Sequence, residues 1–378
     1  MGWLLSLVQF LIPRKANRWV YADGTLNSAI HFYRFCRAYD DREHIYVCRS
    51  KDLDRFRAAG VNAVAKGSLK ALWFILTAKV FIIAKSSLED LDKRLSHGAL
   101  IINLFHGIPI KSIGLATYDN RSDKPEWKLQ RYRKKLTQQY ARYDFCCATS
   151  PFTQLLFQSA FGRPLEELPI TGEPRNDFLI ENRSNRQWLE NKYGERVRRS
   201  KWVFAYMPTW RDYGEWQHGI DLEHLNRWLL EHDSVLILRA HPNDASFDIG
   251  ERHLEAIIRS ANDGGWSDAY EELAGTDALI SDFSGLVFEY LLTDHPVVLY
   301  APDYHKYLAN RPLMASFDDM RPCELLTDYA ALIQSLTDVV SGQYNFDRYH
   351  TVKHRLHTVR DASASQRVYD HIISRLNS

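Results

Sequence analysis

Four short stretches of the sequence place polar or charged residues directly after an apolar run that is typical of a buried strand. They are HGIPIK (106–111), MPTWRD (207–212), RAHP (239–242) and SDFSG (281–285). The carboxyl ends of parallel strands lie along one edge of a sheet, where open α/β sheets bind their ligands. The sequence therefore predicts that imidazole, guanidinium and hydroxyl groups from these stretches line one site, suited to proton transfer and anion binding.

His106 is the residue best placed for acid–base chemistry. It ends the apolar run LIINLF and precedes Gly107, where a tight turn or a close approach of substrate is expected. An imidazole with the ordinary pKa of about 6.5 can accept a proton from an alcohol at neutral pH. Because the chain has 15 histidines, a structural role remains the alternative for His106. Lys111 is expected either to contact a phosphate or to face solvent.

The stretch SDFSG, which is followed by the apolar helical pattern LVFEYLL, predicts an anion site. Ser281 or Asp282 can cap the helix, while Ser284 and Gly285 present backbone N–H groups that suit a diphosphate. Glu289, about one turn further along, can reach a ribose. The alternative is an ordinary helix whose N-terminus is capped by Ser and Asp.

His241 can donate a hydrogen bond to a phosphate oxygen together with Arg239 or Arg211, or it can brace the turn before Pro242. The sequence lacks the glycine-rich P-loop, the Gly-x-Gly-x-x-Gly turn and the Gly-x-Ser-x-Gly elbow, which disfavours P-loop NTPases, dinucleotide oxidoreductases and α/β-hydrolases. Two Asp-x-Asp pairs precede charged helical patterns, so helix capping explains them better than metal binding. No cofactor is assigned, and a requirement for Mg²⁺ is left open.

Apolar runs of strand length alternate with amphipathic stretches of helical period, which predicts parallel βαβ units. The expected strands lie at 18–23, 44–49, 61–65, 79–84, 100–105, 144–150, 168–172, 202–208, 234–240, 278–282 and 297–301. A polar, charged segment at 181–201 separates two halves of the chain. We expect a short helix at 1–17, Rossmann-like domains at 18–180 and 181–347 that face one another across a cleft, and C-terminal helices at 348–378 that return to the first domain.

Composition and cysteine use fit a globular protein of a reducing, cytoplasmic compartment. Of the 378 residues, 45% are hydrophobic and 25% are charged, which is typical of a folded chain. The five cysteines are odd in number and lack Cys-x-x-Cys spacing, so neither a disulfide framework nor a zinc site is expected. The net charge is only +1, so attraction to anionic partners depends on local clusters.

Two segments indicate contact with an anionic membrane surface. The apolar run at 3–12 is half the length of about 20 residues that a bilayer span needs, and Arg14, Lys15 and Arg18 follow it. Such an amphipathic helix suits the membrane interface or, alternatively, packs on the protein's own core. The segment 121–142 interleaves Lys and Arg with aromatic residues, and it can lie on anionic lipid, bind a phosphate-bearing chain or form a solvated face. No motif for nucleic-acid binding accompanies it, so no nucleic acid is expected as a partner.

Five stretches, in order along the chain, resemble the CDP-glycerol glycerophosphotransferases, enzymes that prime or polymerise teichoic acids and related capsule polymers. They are HGIPIKSIG (106–114), GEPRND (172–177), YMPTWRD (206–212), LRAHPND (238–244) and SDFSGLVFEYLLTDHPVVLY (281–300). The N-terminal order of apolar helix, PR and WVYADG is similar as well. The resemblance implies an α/β fold of the GT-B type, a CDP-activated polyol donor and peripheral attachment to the cytoplasmic face of the cell membrane.

The resemblance also implies roles for single residues. His106 would be the catalytic base, His241 would assist at the phosphates, and Ser281, Ser284 and Glu289 would lie in the donor pocket. To the same donor-binding group we assign Thr209, Arg211, Arg239, Asp282 and Gly285, and to the acceptor side Gly107, Lys111 and Arg175.

The expected reaction is attack by a hydroxyl of a lipid-linked saccharide or polymer on the β-phosphorus of CDP-glycerol, with release of CMP. The chain length leaves little room for accessory repeats, which favours a primase over a processive polymerase. The alternatives are a CDP-ribitol phosphotransferase, a GT-B glycosyltransferase that uses a nucleotide sugar, and a non-catalytic peripheral membrane module.

Overall fold

The computed structural model describes residues 9–22, 28–85, 91, 95–119, 125–211, 218–240, 253–260 and 268–377. The chain divides into two compact units. The first comprises Met1–His106, Ile113–Asp177 and Asp361–Ser378, and the second comprises Gly107–Ser112 and Phe178–Arg360. The change of unit after Asp177 falls close to the domain boundary expected at 180. The segment 107–112, which directly follows His106, groups with the second unit.

The first unit is built on a six-stranded, entirely parallel sheet with the strand order β3-β2-β1-β4-β5-β6. This is the order of a Rossmann-type sheet, in which the direction of winding reverses between the first and fourth strands. Its central strands are buried on both faces and are therefore almost continuously apolar. The strands are β1 Lys15–Ala22, β2 Glu43–Cys48, β3 Ala63–Ala65, β4 Ala78–Ile83, β5 Leu100–Asn103 and β6 Phe145–Cys146.

Helices connect these strands, as parallel pairing requires. Helix α3 shows how the sequence sets their bounds: the Ser68 side chain caps its first turn by accepting from the Ala71 N–H, and strand β4 follows directly. The apolar stretch over 71–83 is thus a helix followed by a strand. The helices are α1 Ser28–Tyr39, α2 Leu53–Ala58, α3 Leu69–Thr77, α4 Ala116–Asp119, α5 Glu126–Tyr140, α6 Pro151–Phe161 and α7 Pro174–Glu181.

The second unit repeats the architecture. Its six parallel strands have the order β9-β8-β7-β10-β11-β12, which is the same winding as in the first sheet. The strands are β7 Trp202–Tyr206, β8 Ser234–Leu238, β9 Ile257–Arg259, β10 Ala278–Ser281, β11 Val297–Tyr300 and β12 Leu325–Leu326. The helices are α8 Gln187–Tyr193, α9 Glu195–Arg199, α10 Leu222–Glu231, α11 Ala269–Ala274, α12 Leu286–Tyr290, α13 Tyr304–Asn310, α14 Phe317–Met320, α15 Tyr329–Val340 and α16 Asp347–Leu356. Helix α17, Ala364–Asn377, belongs to the first unit.

The sheets differ from the sequence-based expectation at several places, and the strand expected at 144–150 spans only Phe145–Cys146. The stretch 168–172 is not a strand: it makes a single parallel bridge, between Ile170 and Ala148. Pro169 has no N–H to donate to a ladder, which explains why pairing does not extend. Strands β9 and β12 were not expected, since they are only three and two residues long.

The N-terminal segment also differs from the expected helix over 1–17. Residues 1–8 lie outside the described residues, Gln9 to Ile12 form turns, and strand β1 already includes residues 15–17. Arg14 donates to backbone carbonyls, among them those of His97 and Ile75, and burial lowers its pKa to about 10. Arg18 is buried against Glu43. Two of the three cations expected at a membrane surface are therefore bound within the first unit.

In the parts of the chain described above, no helix is both long and apolar enough to cross a membrane.

Candidate active site

The backbone at the end of β5 turns sharply and delivers His106. Phe105 has a φ of 58°, which is unusual for a residue other than glycine, and its N–H donates to the Asn103 side chain over 2.9 Å. Its ring packs edge-on against Phe157 and Phe161, with ring centroids 5.1 and 5.6 Å away. Aromatic packing thus holds the strained turn that places His106 beyond the strand.

The His106 imidazole is held in one tautomer. Its Nδ1 lies 2.7 Å from the Ala84 carbonyl oxygen, which can only accept, so Nδ1 carries the proton and Nε2 the lone pair. The residue is exposed. Surrounding protein lowers the pKa of His106 to about 4 by desolvation; the Ala84 carbonyl opposes this shift, while Arg175 and Lys85 reinforce it. The side chain is therefore neutral at pH 7, with a basic nitrogen available.

The GEPRND stretch forms a buried network in the first unit. Arg175 is 4% exposed, and its Nε donates to Glu173 over 3.0 Å. Asp177 accepts from the backbone N–H groups of Ala364 and Ser365, at 2.9 and 2.7 Å, and so caps helix α17. Arg175 thus occupies an ion pair in the interior, and its predicted role on the acceptor side remains a prediction.

The segment after His106 joins the second unit through backbone pairing. The Ser112 N–H donates to the Pro312 carbonyl over 2.9 Å, and the Met314 N–H donates to the Ile110 carbonyl over 2.8 Å. Lys111, between these two contacts, has its Nζ 5.9 Å from the centroid of the Tyr307 ring. Lys111 is therefore anchored by its backbone, with its ammonium beside an aromatic ring.

The same segment contacts the SDFSG stretch. A Cβ built on Gly285 would lie 3.2 Å from the Ile108 carbonyl oxygen, tighter than ordinary packing allows. Gly107 has a φ of 115°, which only glycine adopts readily. The first and fourth of the chemistry-bearing stretches therefore meet within the second unit, and glycines at both places permit it.

Arg211 and Asp282 form the centre of a buried cluster. Arg211 NH1 lies 2.9 Å from Asp282 Oδ2, while its Nε and NH2 donate to Asp303 over 2.8 and 2.9 Å. Asp282 Oδ1 accepts from the N–H groups of Thr209 and Phe283, at 2.9 and 2.6 Å. Burial raises the pKa of Asp282, and Arg211 opposes that shift. The cluster joins the loops that follow β7 and β10.

Aromatic rings cover this cluster. The Phe283 ring stacks on Tyr307 with a centroid separation of 3.8 Å, and the Arg211 guanidinium lies 4.7 Å from the Tyr307 centroid. Ser281 is buried and donates to the Met207 carbonyl over 2.6 Å. Arg211, Asp282 and Ser281 therefore brace the loops that follow β7 and β10, and direct contact of these three with a donor remains a prediction.

Helix α12, which follows SDFSG, is short. It has five residues and continues into the single turn Leu291–Thr293. The Ser284 hydroxyl accepts from the Leu286 N–H over 3.3 Å. Ser284 and Gly285 are partly exposed, whereas Glu289 is 1% exposed. Ser284 and Gly285 are thus the residues of this stretch that a ligand can reach most easily.

The RAHP stretch is described only in part. Arg239 follows β8, and its NH1 lies 3.1 Å from Oε2 of Glu272, a fully buried carboxylate on α11. His241 lies outside the described residues, so its predicted role at the phosphates is not tested. The sequence singled out neither Glu272 nor Asp303, because both sit in helical or turn patterns where acidic residues usually face solvent.

Metal binding has no structural support within the described ranges, where no group of three or more His, Cys, Asp or Glu side chains is placed to hold an ion. The cysteines in these ranges are free thiols, as a reducing compartment would allow.

Comparison with known proteins gives a consistent result. A family model described as CDP-glycerol:poly(glycerophosphate) glycerophosphotransferase matches residues 9–374. A teichoic acid glycerol-phosphate transferase of Staphylococcus aureus is 26% identical over 348 residues, which is 89% of this chain and 86% of the relative. A teichoic acid poly(glycerol phosphate) polymerase of Bacillus spizizenii is 26% identical over 304 residues, 78% of this chain and 75% of the relative.

The fold has a solved counterpart in the wall teichoic acid polymerase TagF. The two structures superpose with a TM-score of 0.81 over 100% of this chain and 93% of that one, at 22% sequence identity. At a sequence identity this low, the similarity is evidence for the fold only. The expected α/β fold of the GT-B type, with two parallel Rossmann-like sheets, is confirmed.

Proposed function

Because the chain belongs to the CDP-glycerol:poly(glycerophosphate) glycerophosphotransferase family, we propose that it transfers glycerol phosphate from CDP-glycerol to a hydroxyl of a lipid-linked acceptor. The family resemblance seen in the sequence is confirmed, and so is the assignment as a transferase. The finer parts of the proposal are the acceptor, the release of CMP and the number of units added.

One observation of the structure carries the proposed chemistry: the fixed tautomer of His106. In the proposed step, the acceptor hydroxyl oxygen attacks the β-phosphorus of CDP-glycerol while Nε2 of His106 takes the hydroxyl proton. The bond from that phosphorus to the bridging oxygen breaks, and CMP leaves with the electron pair. The Ala84 carbonyl, by holding Nδ1–H, keeps Nε2 as the accepting atom throughout.

Residues of the second unit support donor binding. Ser284, Gly285 and Arg239 are partly exposed and offer a hydroxyl, backbone N–H groups and a guanidinium to the diphosphate. The Arg211 cluster braces the loop after β10, which carries Ser284 and Gly285.

We further propose a saccharide linked to an undecaprenyl-type lipid as the acceptor and addition of a single unit, as in a primase. Incubation with CDP-glycerol and a lipid-disaccharide analogue tests this: equimolar CMP and an acceptor heavier by one glycerol phosphate are expected. Acceptors that carry a series of different numbers of glycerol phosphates would indicate a polymerase instead of a primase. Turnover with CDP-ribitol or a nucleotide sugar, but not CDP-glycerol, would overturn the donor assignment. The same assay with EDTA tests the requirement for Mg²⁺.

Peripheral binding to the cytoplasmic membrane face is the remaining part of the proposal, and helix α5 supports it. Trp127 and Tyr132 are 59% and 45% exposed. Lys128 lies 5.3 Å from the Trp127 ring centroid, and Lys135 lies 5.7 Å from that of Tyr132. Interfacial aromatic rings beside exposed cations suit an anionic lipid surface, where each cation adds about 1 kcal/mol.

Co-sedimentation with vesicles tests this surface. The protein is expected to bind vesicles that contain anionic lipid and to be released by salt, and K128E/K134E/K135E should abolish binding. As a control, R198E/R199E reverses two exposed cations of the second unit, which pair with Glu195 on helix α9. Equal binding by both variants and the unsubstituted protein would contradict the role of α5.

A further inference from the structure

A buried carboxylate organises the cationic end of strand β8 in the second unit. Glu272 lies on α11 and is 0% exposed. Three donors converge on its Oε1 atom: the Lys192 ammonium at 2.9 Å, the Tyr193 hydroxyl at 2.7 Å and the Ser260 hydroxyl at 2.6 Å. Its other oxygen, Oε2, faces Arg239, with NH1 at 3.1 Å.

This environment keeps Glu272 ionised. Burial by itself would raise the pKa of the carboxyl group, but the charge of Arg239 and the hydrogen bonds of Ser260, Tyr193 and Lys192 together lower it below its ordinary value. A carboxylate held by three donors on one oxygen cannot rotate without losing them, so Oε2 stays directed at the guanidinium. The result is a fixed negative charge beside Arg239.

The network lies at the carboxyl edge of the second sheet. Arg239 and Ser260 directly follow β8 and β9. The Arg239 N–H donates to the carbonyl of Tyr206, the last residue of β7, and the Ser260 N–H donates to that of Leu238. This is the edge at which open α/β sheets bind ligands, and the Arg239 side chain is 20% exposed there.

We propose that Glu272 is a positioning residue that holds the Arg239 guanidinium in the orientation needed to contact the diphosphate of a CDP-linked polyol. The role of Lys192, Tyr193 and Ser260 is indirect. They hold the Glu272 carboxylate, which in turn orients Arg239. The inference rests on the proposed donor-binding role of Arg239. It adds a residue that no local sequence pattern marks as functional.

A double-mutant cycle on donor affinity tests the proposal. The Kd of CDP-glycerol, measured by calorimetry on the full chain, is compared for the unsubstituted protein, E272Q, R239A and the double variant. E272Q keeps the side-chain volume and removes the charge. It is expected to raise Kd and KM about tenfold, because the ion pair that orients the guanidinium is lost, with little change in kcat. In the R239A background, E272Q should have no further effect on Kd.

Asp277 provides the matched control. It precedes β10, at the opposite edge of the same sheet, where its Oδ2 accepts from the Val203 N–H over 2.6 Å and pairs with Arg186. D277N therefore removes a paired carboxylate charge from the same sheet, at a side chain that is 20% exposed. It is expected to lower thermal stability while leaving Kd and KM unchanged.

Two results would overturn the proposal. If the effects of E272Q and R239A on Kd add, Glu272 does not act through Arg239. If E272Q changes Kd no more than D277N does, the carboxylate has no part in donor binding. A protein that binds CDP-glycerol but never transfers glycerol phosphate would refute the proposed reaction, and the affinity cycle would still decide the role of Glu272. Failure to bind CDP-glycerol would refute both.

Discussion

The pH dependence of kcat/KM offers a sharp test of His106 as the base, because it reports the pKa of an essential group in the free enzyme. Desolvation places the pKa of His106 at about 4, well below the ordinary value of about 6.5. At pH 5.5, a group with a pKa of about 4 is about 97% neutral, whereas one with a pKa of 6.5 is only about 9% neutral. Activity carried by His106 should therefore be almost unchanged between pH 7.5 and pH 5.5 and should fall only below about pH 5.

The paired substitution is H106N. Its side-chain amide can still donate to the Ala84 carbonyl, as Nδ1–H does over 2.7 Å, but it has no basic nitrogen at the position of Nε2. A general base contributes about 10²- to 10⁴-fold, so kcat should fall by that factor, or about 3–5 kcal/mol in the activation barrier. Thermal melts at each pH show whether the protein stays folded. An acid limb near pH 6.5, or full activity in H106N, would refute the reasoning.

Three further predictions concern stability. Burial lowers the pKa of His357 to about 4, so the unfolded chain gains a proton as pH falls below about 6.5 while the folded chain does not. In urea titrations, the free energy of unfolding should therefore fall by up to about 3 kcal/mol as the pH is lowered. This loss should be missing in H357Q. An equal pH slope in both proteins would contradict this. In G114A the new Cβ would clash with the Ala160 carbonyl at a φ of 56°, so the free energy of unfolding should fall by about 3 kcal/mol. The control G342A also has a positive φ but open space around the Cβ, and its loss should be about 1 kcal/mol. Equal losses in the two variants would show that the clash at Gly114 is relieved. D177A removes the cap of helix α17 and should cost about 1–2 kcal/mol, with faster amide exchange in its first turn; unchanged exchange would count against the cap.

The sheets were predictable because a strand buried on both faces must be apolar along its length. The apolar runs that form β4, β8 and β10 can therefore be recognised as strands from the sequence alone. Strand β12 has only two residues, and the stretch at 168–172 reads as a strand until Pro169 is considered. The short edge strands β9 and β12 of the second sheet depend on their neighbours more than on their own pattern, which is why the sequence did not predict them.

Of the candidate site, the sequence located the loops but not the partners of their side chains. Arg211 was expected at a phosphate, yet it lies between Asp282 and Asp303, and Asp303 is 92 positions further along the chain. Arg239 was expected beside His241, and its counter-charge is Glu272. Pairings of this kind depend on the packing of distant loops, and no local spacing encodes them. Arg14 shows the same effect, because the carbonyls it binds come from segments far away in sequence.

The measurement that tests the central claim most directly is the mass of a lipid-disaccharide acceptor after incubation with CDP-glycerol and the protein, with CMP quantified in the same reaction. We predict an acceptor heavier by one glycerol phosphate, an equal amount of CMP, and neither product above background with H106N. An acceptor of unchanged mass in the presence of a folded, CDP-glycerol-bound protein would contradict the claim.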